Sequence, residues 1–448
     1  MAFARLPFSS SRIYSHSIPS LHAHLLAARS PSWPLSRLGT SLALFSTARP
    51  RSEPRTFPTQ GFDVIDKDQS IEEEDMPEYN PDHFYPVRLG EVFNGRFQIV
   101  AKLGFGSSST IWLTRDLDVT RLTVSERDHQ YVALKVYIHN SVEHRELPFY
   151  ERLNAVLLTS KHVGADNVRR LMASFQVSGP HGSHIVLALQ VSQMSLRDMD
   201  TVFMKGRGFD EDFVKSAIKE LLQAVDFLHT EAQVVHTDIH PGNLLLGLED
   251  NSLFKKLEDN EFSNPVPRKE LPDRNIYFSR LMKPKVGPLL LSDFGEVRLG
   301  AGPHAGDIMP IMYRAPETLL YIQWSYPVDI WSVGLTAWDL LEGRTLFSAR
   351  KEDGSFSDGV HLSELIAALG PPPADLLNRH RKRALEYWNE DYKWDEFVPI
   401  PKEKTLEAAE TKLEDKTKFL AFMRRALAWD PNDRPTAKEL LKDPWLSS

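Results

Sequence analysis

The chain has 448 residues, 53 Lys and Arg against 61 Asp and Glu, a net charge of −8 and no cysteine. Disulfides, thiolate metal sites and cysteine nucleophiles are thereby excluded, and the cationic excess of a general nucleic-acid surface is missing. With 42% hydrophobic residues it can bury a large core, yet no run of about 18 uncharged apolar residues occurs, so no membrane-spanning helix is expected.

The first 51 residues contain no Asp or Glu but carry Arg5, Arg12, Arg29, Arg37, Arg49 and Arg51 among Ser, Leu and Ala. That is the composition of a mitochondrial transit peptide, and LFSTARP at 44–50 suits a processing site. The alternative is a disordered tail without an address, which leaves the cytoplasm or nucleus. Residues 1–55 are read as this basic tail. Residues 56–85, which include DVIDKDQSIEEEDMPEYNPD, are read as a solvated acidic linker.

The pattern then changes. GRFQIVAKLG, STIWLTRDL, YVALKVYI and SHIVLALQV are runs of β-formers, with one helical stretch near 142–159, so 86–193 should be a lobe of strands with a single helix. From 194 to 446 helices should dominate. EDFVKSAIKELLQAVDFLHT sets Phe213, Ala217, Ile218, Leu221, Leu222, Val225 and Leu228 on one face, and DIWSVGLTAWDLLEG is apolar nearly all round and closed by Gly343. Residues 249–287, charged and aperiodic, are expected to form a surface insertion. The fold class is α+β with two lobes.

Several stretches carry chemistry. In LGFGSSSTIWL, Gly104 and Gly106 let backbone approach an anion without a Cβ in the way, and Ser109 stands where a third glycine would fit. Lys135 lies in an apolar strand with Ala133 on the same face and needs a partner, for which Glu146 is favoured over Glu143 and Glu151; Pro148 leaves that helix's register open. VVHTDIHPGNLLL spaces His236, Asp238 and Asn243 as a loop in which a carboxylate can accept a hydroxyl proton. LLLSDFGEV ends a strand with Asp293, an oxygen ligand suited to a hard cation. Glu317 in MYRAPETLL and Arg434 in NDRPTAKELL would be costly to bury unless paired with each other, and Asp329 opens the buried helix.

In order and spacing these parts resemble the eukaryotic protein kinase fold over roughly residues 86–446, a small antiparallel-sheet lobe above a mainly helical one. Within it, GEVFNGRFQIVAKLGFGSSSTIWLTRD, FQVSGPHGSHIVLALQV and HTDI resemble the SR-protein kinases, which phosphorylate serine in Arg/Ser-rich proteins, and their fungal relatives. The resemblance implies a serine/threonine kinase acting on a protein substrate, with ATP and Mg²⁺ as cofactors. Leu103, Gly104, Gly106, Ser109, Ile111, Ala133, Gln190 and Val191 would cradle the nucleotide, and Lys135 with Glu146 would position it. Asp238 would be the catalytic base, assisted by His240, and Asn243 with Asp293 the metal ligands.

Two departures qualify the resemblance. Thr237 replaces an Arg that grips an activation-loop phosphate in many kinases, and residues 293–317 contain no Ser or Thr, so the loop is expected to act without phosphorylation or not at all. His240 replaces a Lys, and Pro310 the Thr that pairs with it; a His with an ordinary pKa near 6.5 would place a weaker charge there. Slower transfer is the expectation, and a pseudokinase scaffold or a small-molecule kinase is the alternative.

Overall fold

The computed structural model describes residues 52–118, 131–139, 145–395 and 398–447; the basic tail over 1–51, read as a possible transit peptide, and Glu143 lie outside them. Strands β1 (Val92–Phe93), β2 (Phe97–Gly106), β3 (Ser109–Asp116) and β4 (Tyr131–Tyr137) are followed by helix α1 (Glu146–Leu157) and by β5 (Leu171–Ser178) and β6 (Ser183–Leu189). The strands form one antiparallel sheet in the order β1-β2-β3-β4-β6-β5. β4 is buried along its whole length because both faces are covered, which is why it reads as a continuous apolar run. Val132, Leu134 and Val136 pack with Phe97, Ile99 and Trp112, while Tyr131 and Ala133 pack with Val100, Leu113 and Val191 on the other side.

The second lobe begins with the short helix α2 (Leu196–Met199) and the long α3 (Glu211–Phe227). Asp210 caps α3 by accepting the Phe213 N–H at 2.9 Å, and Val214, Ile218, Leu221, Leu222 and Val225 are buried in the largest core. Phe213, expected on that face, is only half-buried and stacks on Phe209. Two short strands follow, β7 (Val234–Val235) and β8 (Leu244–Leu246).

The insertion comes next and is no surface appendage. It holds α4 (Ser252–Ser263), β9 (Arg268–Glu270) and β10 (Asn275–Tyr277). Phe254 and Leu257 of α4 join Phe57 over the Tyr131 face of the sheet, and Val266 and Tyr277 cover the opposite face. The acidic stretch expected as a solvated linker runs with it. Ile65 donates its N–H to the Arg268 carbonyl at 2.9 Å, Glu74 pairs with Lys269 at 2.6 Å, and Ser279 donates its N–H to Glu72 at 3.0 Å. The physical reason is Lys102, a β2 lysine with no exposed surface, which contacts Glu73 directly and lies 3.5 Å from Glu72. A buried ammonium needs such counterions, so the acidic run is structural and belongs, with the insertion, to the first lobe's outer layer.

The chain returns through β11 (Leu289–Leu291), paired with β8, to α5 (Pro316–Leu319) and α6 (Pro327–Glu342). Pro327 opens α6 in its first turn and Gly343 ends it at φ 71°, the left-handed conformation that favours glycine. Arg434 meets Glu317 through two bonds of 2.7 Å, both side chains wholly buried. The pairing expected from their burial is present, and it ties α5 to the C-terminal end of the lobe.

Candidate active site

Lys135 projects from β4 into the cleft, and α1 starts at Glu146, which settles the register. Pro148 falls in the first turn, where its missing N–H costs no helical bond. Lys135 Nζ lies 2.8 Å from Glu146 Oε2 and 3.1 Å from Asp293 Oδ1. Glu146 also receives the Tyr137 hydroxyl and, at 3.4 Å, the Phe294 N–H; Glu151 is exposed on the helix. Burial alone would depress Lys135, but Asp293 and Glu146 outweigh it and hold the ammonium well above the usual lysine range. Asp293, which burial would raise, is held below the usual carboxylate range by the Lys135 charge and hydrogen bond. It sits at φ 63° just before Phe294, whose ring stacks on Phe149 at 4.2 Å and meets His236 edge-on at 5.1 Å.

Asp329, at the start of α6, holds the loop after β7 by accepting the N–H groups of His236 at 2.8 Å and Thr237 at 2.9 Å. Thr237 adopts φ 67° and donates its hydroxyl to the Glu296 carbonyl at 2.7 Å. Asn243 Nδ2 donates to the Asp238 carbonyl at 2.8 Å and to its Oδ2 at 3.0 Å, which leaves the Asn243 amide oxygen as an acceptor. Burial, then the negative charge of Asp293, push Asp238 up to about 8.

His240 does not carry the charge of the lysine it replaces. Its Nδ1 accepts from the Gly242 N–H at 3.1 Å and faces Arg197 Nη2 at 3.2 Å, so Nε2 bears the proton, 3.5 Å from Asp238 Oδ1. Burial and then the Arg197 charge hold the imidazole well below the usual histidine range. The cation at this place is Arg197 on α2. Gly242 leaves it room, since a Cβ there would stand 3.0 Å from Arg197 Nη1. Pro310 opens the turn that brings Tyr313 over His240, ring centroids 6.0 Å apart.

Beside these groups lies a pocket roofed by Leu103, Gly104 and Ile111 and floored by Leu245. Ala133 and Val191 pack beside Leu103 and Ile111, and the Gln190 carbonyl accepts from Arg169 Nε at 2.9 Å. Gly106 faces open space where a Cβ would point, and Ser109 pairs with it across the β2–β3 turn. Arg280, Leu281 and Met282 of the insertion line the mouth. Their segment is held at both ends: Arg280 donates its N–H to the Lys102 carbonyl at 2.9 Å, and Lys285 donates its N–H to Gln193 at 2.7 Å. Leu245, Arg169, Arg197 and Met282 escaped the sequence reading. The clearest overlooked signal was the charge pair in NVRRL, a run otherwise suited to a strand.

Among the described residues no cluster of three or more His, Asp or Glu could hold a metal alone. Asp293, its side chain 47% exposed, and the Asn243 oxygen are two hard donors open to the cleft. They fit Mg²⁺, which takes one or two protein oxygens and completes its shell with phosphate and water.

A two-lobed fold with a lysine–glutamate pair above and an aspartate–asparagine loop below defines a phosphotransferase scaffold, and comparison with known proteins agrees. The profile of the protein kinase domain family matches residues 97–446, and the chain belongs to that family. A serine/threonine protein kinase of Aspergillus fumigatus is 40% identical over 402 residues, covering 88% of this chain and 95% of that one. The serine/threonine-protein kinase SRPK of Physarum polycephalum is 27% identical over 84% of this chain and 92% of its own. SRSF protein kinase 3 of Mus musculus is 23% identical over 84% and 91%. The crystal structure of a kinase domain, 21% identical, superposes with a TM-score of 0.61 over 82% of this chain and all of that one, a likeness of fold. The protein is a serine/threonine protein kinase, similar in sequence to relatives that carry SR-protein-kinase names.

Proposed function

We propose that this kinase transfers the γ-phosphoryl group of ATP to a serine or threonine hydroxyl of a basic, Arg/Ser-rich protein, without prior phosphorylation of its own activation loop. Asp238 accepts the hydroxyl proton; burial and the charge of Asp293 raise its pKa, which makes its carboxylate form a stronger base. Lys135, steered by Glu146, orients the α- and β-phosphates, and Gly104 and Gly106 admit them under β2. Asn243 and Asp293 would hold Mg²⁺, which when bound neutralises charge on the phosphate oxygens. His240 Nε2 lies 3.5 Å from Asp238 Oδ1, and Arg197 behind the ring supplies positive charge at one remove.

The observation that carries this reading is the contact of Lys135 with both Glu146 and Asp293 while Phe294 stays packed on Phe149. Residues 293–317 offer no Ser or Thr to phosphorylate. Thr237 ties the loop through Glu296 instead, which supports constitutive activity. The Arg/Ser-rich substrate is supported by the names of the Physarum and mouse relatives. The test is the purified protein with Mg²⁺ and labelled ATP, offered an Arg/Ser peptide, a generic basic protein and hydroxylated small molecules, beside an Asp238→Asn control. Label on the Arg/Ser peptide is expected. Bound nucleotide with no label on any polypeptide would turn the reading to a scaffold, the alternative that a neutral His240 favours. Mitochondrial targeting by residues 1–51 is proposed on composition, and a fluorescent fusion that stays cytosolic would end that idea.

A further inference from the structure

Arg169 stands at the closed end of the nucleotide pocket, just before β5. It is 6% exposed, and among the described residues no carboxylate pairs with it. Its Nε donates to the Gln190 carbonyl at 2.9 Å and its Nη1 to the Ser292 hydroxyl at 3.3 Å. Burial lowers the guanidinium pKa, yet an arginine stays charged. Glu146 and Asp293 act on it only through their charge, without a direct pair, so the N–H groups not given to Gln190 and Ser292 call for an acceptor from the ligand.

A purine lying between Leu103 and Ile111 above and Leu245 below must send N9 and its phosphates towards Lys135 and Asp293. The C6 substituent, far from N9, then lies at the closed end with N7 beside it. Adenine offers a 6-amino donor there, whereas a 6-oxopurine offers two acceptors, O6 and N7, the pair that a guanidinium reads in a bidentate manner. Arg169 opposes the amino group by facing donor with donor, and it takes one of the two lone pairs of the Gln190 carbonyl that could receive the amino hydrogen. The backbone N–H groups of residues 191–192 pull the other way, since they favour the N1 acceptor of adenine over the N1–H of guanine. Charge-assisted bonds are roughly twice as strong as neutral ones, so the arginine should prevail.

We propose that Arg169 makes this a pocket for 6-oxopurine nucleotides, with GTP and ITP serving as phosphoryl donors at least as well as ATP. The donor role rests on the transfer reading above; the choice of base does not. The test is displacement of a fluorescent nucleotide from the full-length protein with Mg²⁺ by ADP, GDP and IDP, with phosphotransfer measured in parallel. The wild type is expected to bind GDP and IDP at least as tightly as ADP, and Arg169→Val should move the ratio towards ADP by about tenfold or more. Arg169→Lys, which keeps a buried cation, should fall between, and it serves with the wild-type ratio if the valine variant does not fold. A wild type that binds ADP about tenfold tighter, with the ratio unmoved in the variants, would overturn the proposal, as would failure to bind any purine nucleotide. A 6-oxopurine preference in binding with no label transfer upholds it while ending the kinase mechanism.

Discussion

The two sides of the cleft neutralise charge in different ways. On the nucleotide side Lys135 touches both Glu146 and Asp293 directly, at 2.8 and 3.1 Å, so the buried ammonium meets opposite charge. On the acceptor side Asp238 has a neutral imidazole at 3.5 Å and its cation, Arg197, stands behind that ring. Direct pairing fixes geometry, whereas a cation at one remove acts through a longer, weaker field. The acceptor side is therefore the place to look for a limit on rate.

Four measurements break or sharpen this contrast. Asp238→Asn should lower transfer by about a thousandfold while leaving nucleotide affinity near its wild-type value, in a single-turnover assay. An equal loss of affinity would mean that the two sides are not separable. The second checks the fold on which both stand. His361 has no exposed surface, neither ring nitrogen has a partner, and burial lowers its pKa to about 4. A lowered folded-state value means that the unfolded chain binds the proton first, so stability is complete above about pH 6.5 and falls by about 3 kcal/mol towards pH 4. Denaturant melts across that range should show the loss, and His361→Phe should flatten it. Rates on the two sides are best compared above pH 6.5.

Third, Arg197→Met should reduce kcat by about tenfold with the KM for nucleotide little changed, if its field stabilises charge beside Asp238. Fourth, His240→Lys places a second cation beside Arg197 and should alter kcat by only about threefold or less. A large gain from the lysine with no loss from the methionine would show that Arg197 is a bystander.

Much of the fold was legible because it is written locally. The β-former runs of β2, β3, β4 and β6, the stripe on α3 and the all-round apolarity of α6 are periodicities within one element. Glu317 and Arg434, 117 residues apart, were still pairable, because each was too costly to bury alone. Glu73 and Glu74 were not, although the same cost applies. Their lysines sit 29 and 195 residues away, and an acidic run far from any apolar stripe has the composition of a solvated one. The insertion was misread for a related reason: its contribution to the sheet is four or so side chains scattered over 249–287, too sparse to form a pattern. In the site, His240 signalled that a cation was missing but not that α2 would return one. Arg169 went unremarked although the argument applied to Lys135, that a charge set among apolar residues needs a partner, holds also for an arginine just before β5.

The segment at 280–285 carries a consequence for inhibitor chemistry. It is bonded to the first lobe at Lys102 and to Gln193 in the segment after β6, so Arg280, Leu281 and Met282 frame the mouth of the pocket from outside both lobes' common core. A heterocycle seated between Ile111 and Leu245, and extended outwards, meets an arginine, a leucine and a methionine of the insertion where an unframed cleft would offer water. Compounds grown along that vector would draw their selectivity from residues peculiar to the insertion.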